Sequence, residues 1–463
     1  MKIKFIKQIS KFFIVSLLFS FLQSCENLIE VDLPDNQINT EDVFKDIHTT
    51  QAALASLYIN VRENSLFNGG YSGIGSVLDT YCDNLDDFSG AGANTGINEF
   101  FNNTIIPNNY TLNILWKNNY EHIYALNAFI EGLSSSTYIT EEDKSVFLGE
   151  AYFLRALYYH YLTQLFGDMP YTTTTDYRFN TTISKTKTED VLNYVEQDLK
   201  TALETLPAEY RNPERIYPNK AAAELLLAKN YLLQKQYAQA AIFAQNVLKK
   251  YDYVLEEDIN KVFKKTAQST IWQLGNEANG VATLEAGNYI FDSTPPTRFA
   301  LSSELINSFD EEDKRLLYWT NEISQNEQSW HYAYKYKNNN SNEDEYSIVF
   351  RIEEAYFVLI EALAYQNQTA EAIKYLNAIR QRAGLPELPD TLYQNELIDE
   401  ILSESRKEFF TEGGHRFFDL KRNNKLHILK MVKPNWEDKH ALLPIPEKEI
   451  ILNPNLLPQN EGY

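Results

Sequence analysis

The sequence is poor in cysteine, glycine and proline: its 463 residues include only 2 Cys, 17 Gly and 15 Pro. Two cysteines exclude a disulfide framework and a cysteine-rich zinc module. So little glycine and proline excludes a collagen-like or low-complexity chain. Positive charge is short as well, with 64 Asp and Glu against 42 Lys and Arg and a net charge of −22 at pH 7. That balance argues against a nucleic-acid binder, whose affinity rests on neutralising phosphates, and against a polybasic membrane-surface protein. No segment approaches the ~18 consecutive apolar residues that suggest a transmembrane helix.

Familiar catalytic spacings are missing too. The 7 histidines form no His-x-x-x-His or His-Glu-x-x-His pair, and the chain has no Gly-x-Ser-x-Gly elbow, Walker loop or Gly-x-Gly-x-x-Gly turn. The glycine-rich run Gly69–Gly75 has no Lys-Ser/Thr after it and reads as a loop. The carboxylates of a glycosidase are spaced in three dimensions, and nothing in the sequence singles out such a pair. Asp83-Asn84-x-Asp86-Asp87 offers hard oxygens for calcium but lacks the glycine and distal Glu of an EF-hand loop, so it reads as a solvated acidic loop. The expectation is a protein that is not an enzyme, with no cofactor and no metal.

What is present begins with an address. Lys2, Lys4, Lys7 and Lys11 precede an uncharged apolar run from Phe12 to Leu22, right for a signal peptide and too short to span a bilayer. The run ends in Leu22-Gln23-Ser24-Cys25, which resembles a lipobox. Residues 1–24 are therefore expected to be removed and the Cys25 thiol to carry the lipid. Several acyl chains give firm anchoring, at about 0.8 kcal/mol per buried CH₂. Cys82 is left to packing.

Helical periodicity dominates the rest, over roughly 40–62, 112–133, 141–166, 188–206, 218–234, 237–250, 350–366, 369–383 and 394–411. Thr40-Glu41-Asp42 and Thr188-Glu189-Asp190 read as N-terminal caps. Gly167 and Gly384, each followed by a proline, read as stops. Leu227-Ala228, Tyr231, Ala240 and Ala244 fit a tetratricopeptide hairpin, as do Tyr356, Leu359, Leu363, Ala372 and Leu376. The expected fold is mainly α: tetratricopeptide-like hairpins forming a scaffold, in a single domain over 25–463. Loop-rich insertions at about 63–111 and 251–348 interrupt it, and within the second, Thr270 to Leu274 and Ser329 to Tyr336 look like short strands.

Several motifs in order then resemble the SusD/RagB family of outer-membrane lipoproteins of Bacteroidetes. After Cys25 come Leu28, Asp32 and Pro34, then Ile38 and Thr40 to Phe44. Trp116, Tyr120, Ile123 and Asn127 resemble the family's first long helix. Glu150-Ala151-x-Phe153-Leu154-Arg155-Ala156 with Leu165-Phe166-Gly167-Asp168-x-Pro170 is the most family-like block. Arg406-Lys407-Glu408, Glu412-Gly413 and Arg416-x-Phe418-Asp419-Leu420-Lys421-Arg422 resemble a second, and Leu443-Pro444-Ile445-Pro446 with Asn453-Pro454-Asn455 a closing signature. The resemblance implies a cell-surface lipoprotein on the outer membrane, held there by lipid at Cys25. It implies a TonB-dependent, SusC-like transporter as partner and an extracellular nutrient as cargo. That cargo is most often an oligosaccharide or polysaccharide, and in some members a peptide. A lid or scaffold that binds no nutrient is a further alternative.

Sugar binding needs flat apolar faces for the C–H side of the ring, with amide, carboxylate or guanidinium groups at the edges. Both irregular stretches have this mixture: Tyr71, Asp83, Asp86, Phe88 and Asn94 in the first, and Tyr289, Phe291, Arg298, Trp319, Trp330, Tyr332 and Tyr334 in the second. Tyr71, Asp83, Asp86, Phe88, Asn94, Tyr289, Arg298, Trp319, Trp330 and Tyr332 are taken as candidate ligand residues. Trp319 and Trp330 lead because their neighbours are polar, as in a solvent-facing loop. Trp116, Trp272 and Trp436 are assigned to packing. Glu412, His415, Arg416 and Asp419 read as ion pairs at a helix end.

Overall fold

The computed structural model describes residues 40–90 and 96–463. The export signal, Cys25 and Asn94 lie outside the described residues. Thr40–Val43 forms one helical turn by itself, and residues 44–463 cluster as a separate unit.

Twelve helices of that unit organise the description: α1 (Ile47–Asn64), α2 (Ile74–Tyr81), α3 (Tyr110–Ser135), α4 (Glu141–Phe166), α5 (Thr188–Thr205), α6 (Lys220–Leu233), α7 (Tyr237–Lys250), α8 (Lys314–Trp319), α9 (Ile352–Tyr365), α10 (Thr369–Arg382), α11 (Gln394–Phe409) and α12 (His415–Arg422). Local chemistry sets their ends. Asn109 caps α3 by accepting from the Leu112 N–H, and Thr140 caps α4 by accepting from Asp143. Glu141, Glu142 and Asp143 follow in the first turn, where the helix dipole favours acids. Gly167, at φ 71°, ends α4 in a conformation that suits glycine.

The cap expected at Thr188 is different. Lys187 occupies the cap position, and the orphan Thr188 N–H donates to Asp168 Oδ1 at 2.9 Å. A carboxylate from the preceding loop replaces the local hydroxyl, and that pairing has no signature in the sequence around Thr188.

Successive helices pack in a row, α3 on α4, α4 on α5, α5 on α6 and α6 on α7. The row then jumps: α7 packs directly on α9, so residues 251–348 leave it and return to the same place. Helix α6 is buried almost all round, including Ala221 to Ala223 and Leu225 to Ala228, as a central helix must be. Ala240, Ala244 and Ala372 have no exposed surface, which lets the paired helices approach closely. Among the described residues, no helix is long and apolar enough to cross a membrane.

The long insertion builds most of the sheet. Strand β2 (Thr270–Leu274) pairs antiparallel with β6 (Ser347–Arg351). Trp272 lies edge-on to Phe153 of α4 at 5.3 Å and to Phe350 at 5.9 Å, contacts that contribute about 0.5–1.5 kcal/mol each beyond area burial. A second antiparallel sheet has the order β1 (Leu85–Asp87), β3 (Phe299–Leu301), β5 (Gln328–Ala333), β4 (Thr320–Gln325). It joins the two irregular stretches, since β1 comes from the first and the other strands from the second.

Candidate functional site

Strand alternation sorts the side chains onto two sides of the four-stranded sheet, the first buried at β1 and β3 but exposed at Glu322, Ser324 and Ser329 of the outer hairpin. Leu85, Phe299, Leu301 and Ala333 point inward and are buried. Asp86, Trp330 and Tyr332 take the alternate positions and are half-buried, beside exposed Asn321 and half-buried Ile323. Ile323 is paired with Trp330 and Asn321 with Tyr332, in register across the β4–β5 hairpin. The hairpin turns on Asn326 and Glu327, both at positive φ (51° and 64°). Such a two-residue turn matches the right-handed twist of its strands.

Aromatic rings form a ledge on the solvent face. Phe291 packs on Tyr332 at 5.0 Å, and Tyr332 lies edge-on to Tyr334 at 5.8 Å. The Asn321 amide donates to the Tyr332 hydroxyl at 2.9 Å, which fixes the ring. Lys337 lies over the Tyr334 ring at 5.3 Å. Phe88 donates its N–H to the Arg298 carbonyl at 2.6 Å, extending the β1–β3 pairing. Alternation then places half-buried Phe88 and exposed Arg298 on the side of Asp86. Burial, and then Glu304, push the Asp86 carboxyl above its ordinary range. Flat rings beside a carboxylate, an amide and a guanidinium suit a ligand with both C–H faces and hydroxyl edges.

Asp86, Phe88, Arg298, Trp330 and Tyr332 thus share one face. The other described candidates do not. Trp319 is a correction: it is wholly buried, its indole N–H donating to the Ile259 carbonyl at 3.0 Å and its ring edge-on to Phe263 at 5.3 Å. Its polar sequence neighbours mislead because some stay at the surface, as Asn321 and Glu322 do, while Asp313 and Arg315 go inside with it. Arg315 has no exposed surface and pairs with Asp313, Glu404 and Glu408.

Asp83 is the second correction. It is buried and ion-paired to Arg416 at 2.8 Å and Arg406 at 3.1 Å. Burial raises its carboxyl, but the two guanidinium groups outweigh this and hold it below the usual range. The acidic loop is therefore an anchor rather than a solvated segment, and among the described residues no group of three or more His, Cys, Asp or Glu is placed to hold a metal.

Tyr289 is also internal, its hydroxyl 2.8 Å from Ser76 Oγ. Half-buried Tyr71 stacks on Phe299, a ring of the inward face, at 6.1 Å. Asn321 carried no signal in the sequence, because an asparagine becomes a ring-positioning group only once the hairpin register is known.

The ion pairs expected at 412–419 are present. Glu412 binds Arg351 and Lys335, Arg416 binds Asp83, Asp419 binds Arg422, and His415 lies 3.5 Å from Glu354.

Comparison with known proteins places this architecture. A family model described as "Starch-binding associating with outer membrane" matches residues 32–232, and one described as "SusD family" matches residues 172–463. The chain is similar to SusD-like protein P2 of Formosa agariphila, 27% identical across 93% of this chain and 96% of that one. It is also similar to SusD-like protein P25 of the same organism, 23% identical across 97% and 98%. Among solved structures, a laminarin-binding SusD-like protein superposes with TM-score 0.77 at 24% identity, over 91% of this chain and all (100%) of that one. Surface glycan-binding protein A of Bacteroides thetaiotaomicron, in complex with laminarihexaose, superposes with TM-score 0.75 at 19% identity, over 89% and 99%. At these identities the structural likeness speaks for the fold. The family models span the chain from residue 32 to its end, and the chain belongs to the SusD family.

Proposed function

We propose that this protein is a surface lipoprotein that captures an extracellular glycan and passes it to a TonB-dependent outer-membrane transporter. The observation that carries the reading is the aromatic ledge: Trp330, Tyr332, Tyr334 and Phe291 lie half-buried on the outer side of the four-stranded sheet. Rings held in place lose little side-chain entropy on stacking against a sugar. Asp86, Arg298 and Asn321 lie on the same side of the sheet as the rings and can accept from and donate to hydroxyls. Glycan binding by the two structural relatives supports the same class of cargo. The lipid at Cys25 and the transporter follow from the lipobox and from the family.

A peptide cargo is the second reading. A peptide site favours backbone pairing with a free strand edge, and β4 and β1 are the edge strands of this sheet. The rings cover the face rather than those edges, which favours the glycan. Calorimetry of the soluble chain from Glu26 onward tests the reading with laminarin, starch, xylan and mixed peptides. Saturable heat with one glycan class, lost in Trp330→Ala and Tyr332→Ala, supports the glycan. Heat with peptides alone moves the protein to the peptide branch. Silence with every ligand in both the isolated chain and the co-purified transporter complex leaves a scaffold.

A further inference from the structure

A second concave site lies outside the ledge. Helix α3, the loop 170–183 and the segment 449–456 enclose a groove of about 530 Å³, inside the ~300–1,000 Å³ range of small-ligand sites. Its rings are Trp116, Tyr120, Tyr124 and Tyr177, the last two being 51% and 67% exposed. None belongs to the sheet or to the hairpin that carries the ledge.

The walls are built in advance. Trp116 is braced edge-on by Phe166 at 4.9 Å and packs on Tyr120 at 4.8 Å. The Tyr120 hydroxyl donates to the Pro170 carbonyl at 2.8 Å, tying α3 to the loop. Asn180 accepts from the Thr172 hydroxyl at 2.7 Å, and Asn453 donates to the Ile183 carbonyl at 2.8 Å, closing the far side. Hydroxyl, amide and carboxylate groups, among them Asn180 and Glu449, line the groove beside the rings, together with Lys117 and the aliphatic Ile183, Leu452 and Leu456. Glu449 is half-buried, with no ion pair among the described residues. A docking helix lays its own apolar anchors, at i, i+3, i+4 and i+7, into a continuous hydrophobic groove. Rings interleaved with hydrogen-bonding groups instead match the two-sided surface of a sugar.

We infer that the groove between α3, the 170–183 loop and the 449–456 segment is a second binding site for a short oligosaccharide stretch, with Tyr124 and Tyr177 as stacking rings and Glu449 as a hydroxyl acceptor. The inference rests on the glycan reading for the class of ligand, and uses different residues. Two sites on one chain raise avidity for a polymer without any new contact.

Amide hydrogen exchange on the soluble chain tests it, with saturating hexasaccharides of the laminarin, starch and xylan types as probes. Four proteins are compared: the parent, Trp330→Ala/Tyr332→Ala, Tyr124→Ala/Tyr177→Ala, and all four changes together. The substituted groove rings are exposed, so unchanged Tm serves as the folding control. The expected result is protection in 170–183 and 449–456 as well as in 320–334. Groove protection should persist in the ledge variant and vanish in the groove variant, and Glu449→Gln should weaken it. Protection confined to 320–334 overturns the inference and leaves the ledge reading intact. Protection in the groove alone upholds the inference and defeats the ledge. No protection anywhere with any probe overturns both. A parent that is dimeric by light scattering, becomes monomeric in Leu452→Glu and shows no groove protection makes the groove a protein interface and also overturns it.

Discussion

Arg416 and Asp83, 333 positions apart in the sequence, form a two-pronged pair: Nε donates to Oδ1 at 2.8 Å and a terminal nitrogen to Oδ2 at 2.9 Å. Both side chains are buried. The pair fastens the start of α12 to the loop that leads into β1, so the last third of the helical body holds the outermost strand of the sheet that bears the ledge.

Arg416→Ala leaves the Asp83 carboxylate buried with less compensation, and breaking such a pair costs about 3–5 kcal/mol. Chemical denaturation should show that loss. The pH dependence has a definite sign. The Asp83 carboxyl is held below its ordinary value in the folded state, so its contribution is fully present above the unfolded carboxyl pKa of about 3.9 and is lost as pH falls through the lower folded value. The stability gap between parent and variant should narrow on acidification below about pH 4. A gap that stays constant to pH 2 would refute the assignment.

The two tryptophans first grouped together should part company. Trp319→Ala empties a wholly buried site and removes the hydrogen bond to Ile259, at a cost of about 3–5 kcal/mol. Trp330→Ala removes a half-buried ring from a sheet surface and should leave stability within about 1 kcal/mol, since surface changes are usually small. Paired thermal melts and glycan titrations check this. Trp319→Ala should lower Tm, and Trp330→Ala should lower glycan affinity with little change in Tm.

Lys421 is half-buried with its ammonium donating to the Gln164 carbonyl, and desolvation pushes its pKa down to about 7. A lysine whose folded pKa lies below its unfolded value, about 10.4, penalises the fold fully below the lower value, and the penalty fades as pH rises between the two. Lys421→Met, of similar volume and apolar, should therefore be more stable than the parent at pH 6. Its advantage should shrink as pH rises from 7 toward about 10. Urea titrations at pH 6, 8 and 9.5 read the trend directly. A parent as stable as the variant at pH 6 would show that the amine is adequately solvated.

Gly413 and Gly414 both sit at positive φ, 54° and 68°, between α11 and α12. A Cβ at Gly414 would meet Leu78 Cδ1 at 2.4 Å and the Ile74 carbonyl at 3.3 Å. Gly414→Ala thus combines backbone strain with a clash against α2. It should destabilise by more than the ~1 kcal/mol that a Gly-to-Ala change can gain at a compatible site. Gly90, also at positive φ but with no atom of the described residues within 4 Å of such a Cβ, is the matched control, and Gly90→Ala should be milder in the same denaturation assay.

Periodicity reveals helices well because the pattern is written in adjacent turns. The 141–166 and 237–250 spans match α4 and α7 at both ends. Strand β2 is as legible, since Thr270 to Leu274 is a β-branched and aromatic run. Side-chain exposure was not legible at Trp319 or Asp83. Each lies among polar neighbours, but Asp83 itself and Arg315, four residues before Trp319, are buried in ion pairs with residues far along the chain. A local window counts charges and cannot tell a solvated charge from a neutralised one. The same polar-neighbour argument that misplaces Trp319 places Trp330 at the surface, where the structure has it half-buried; the hairpin that pairs Trp330 with Ile323 and Tyr332 with Asn321 is not read from the sequence.

The hairpin of β4 and β5 has one further implication. Its turn is formed by two consecutive residues, its strands pair along their length with each other, and its ladder pairing to β3 is confined to the Leu301–His331 position. Its outward side chains therefore owe almost nothing to the helical row behind them. On the proposed glycan reading, Asn321, Ile323, Trp330 and Tyr332 can be replaced one at a time while the helices stay as they are, so that ligand preference and fold are free to change separately.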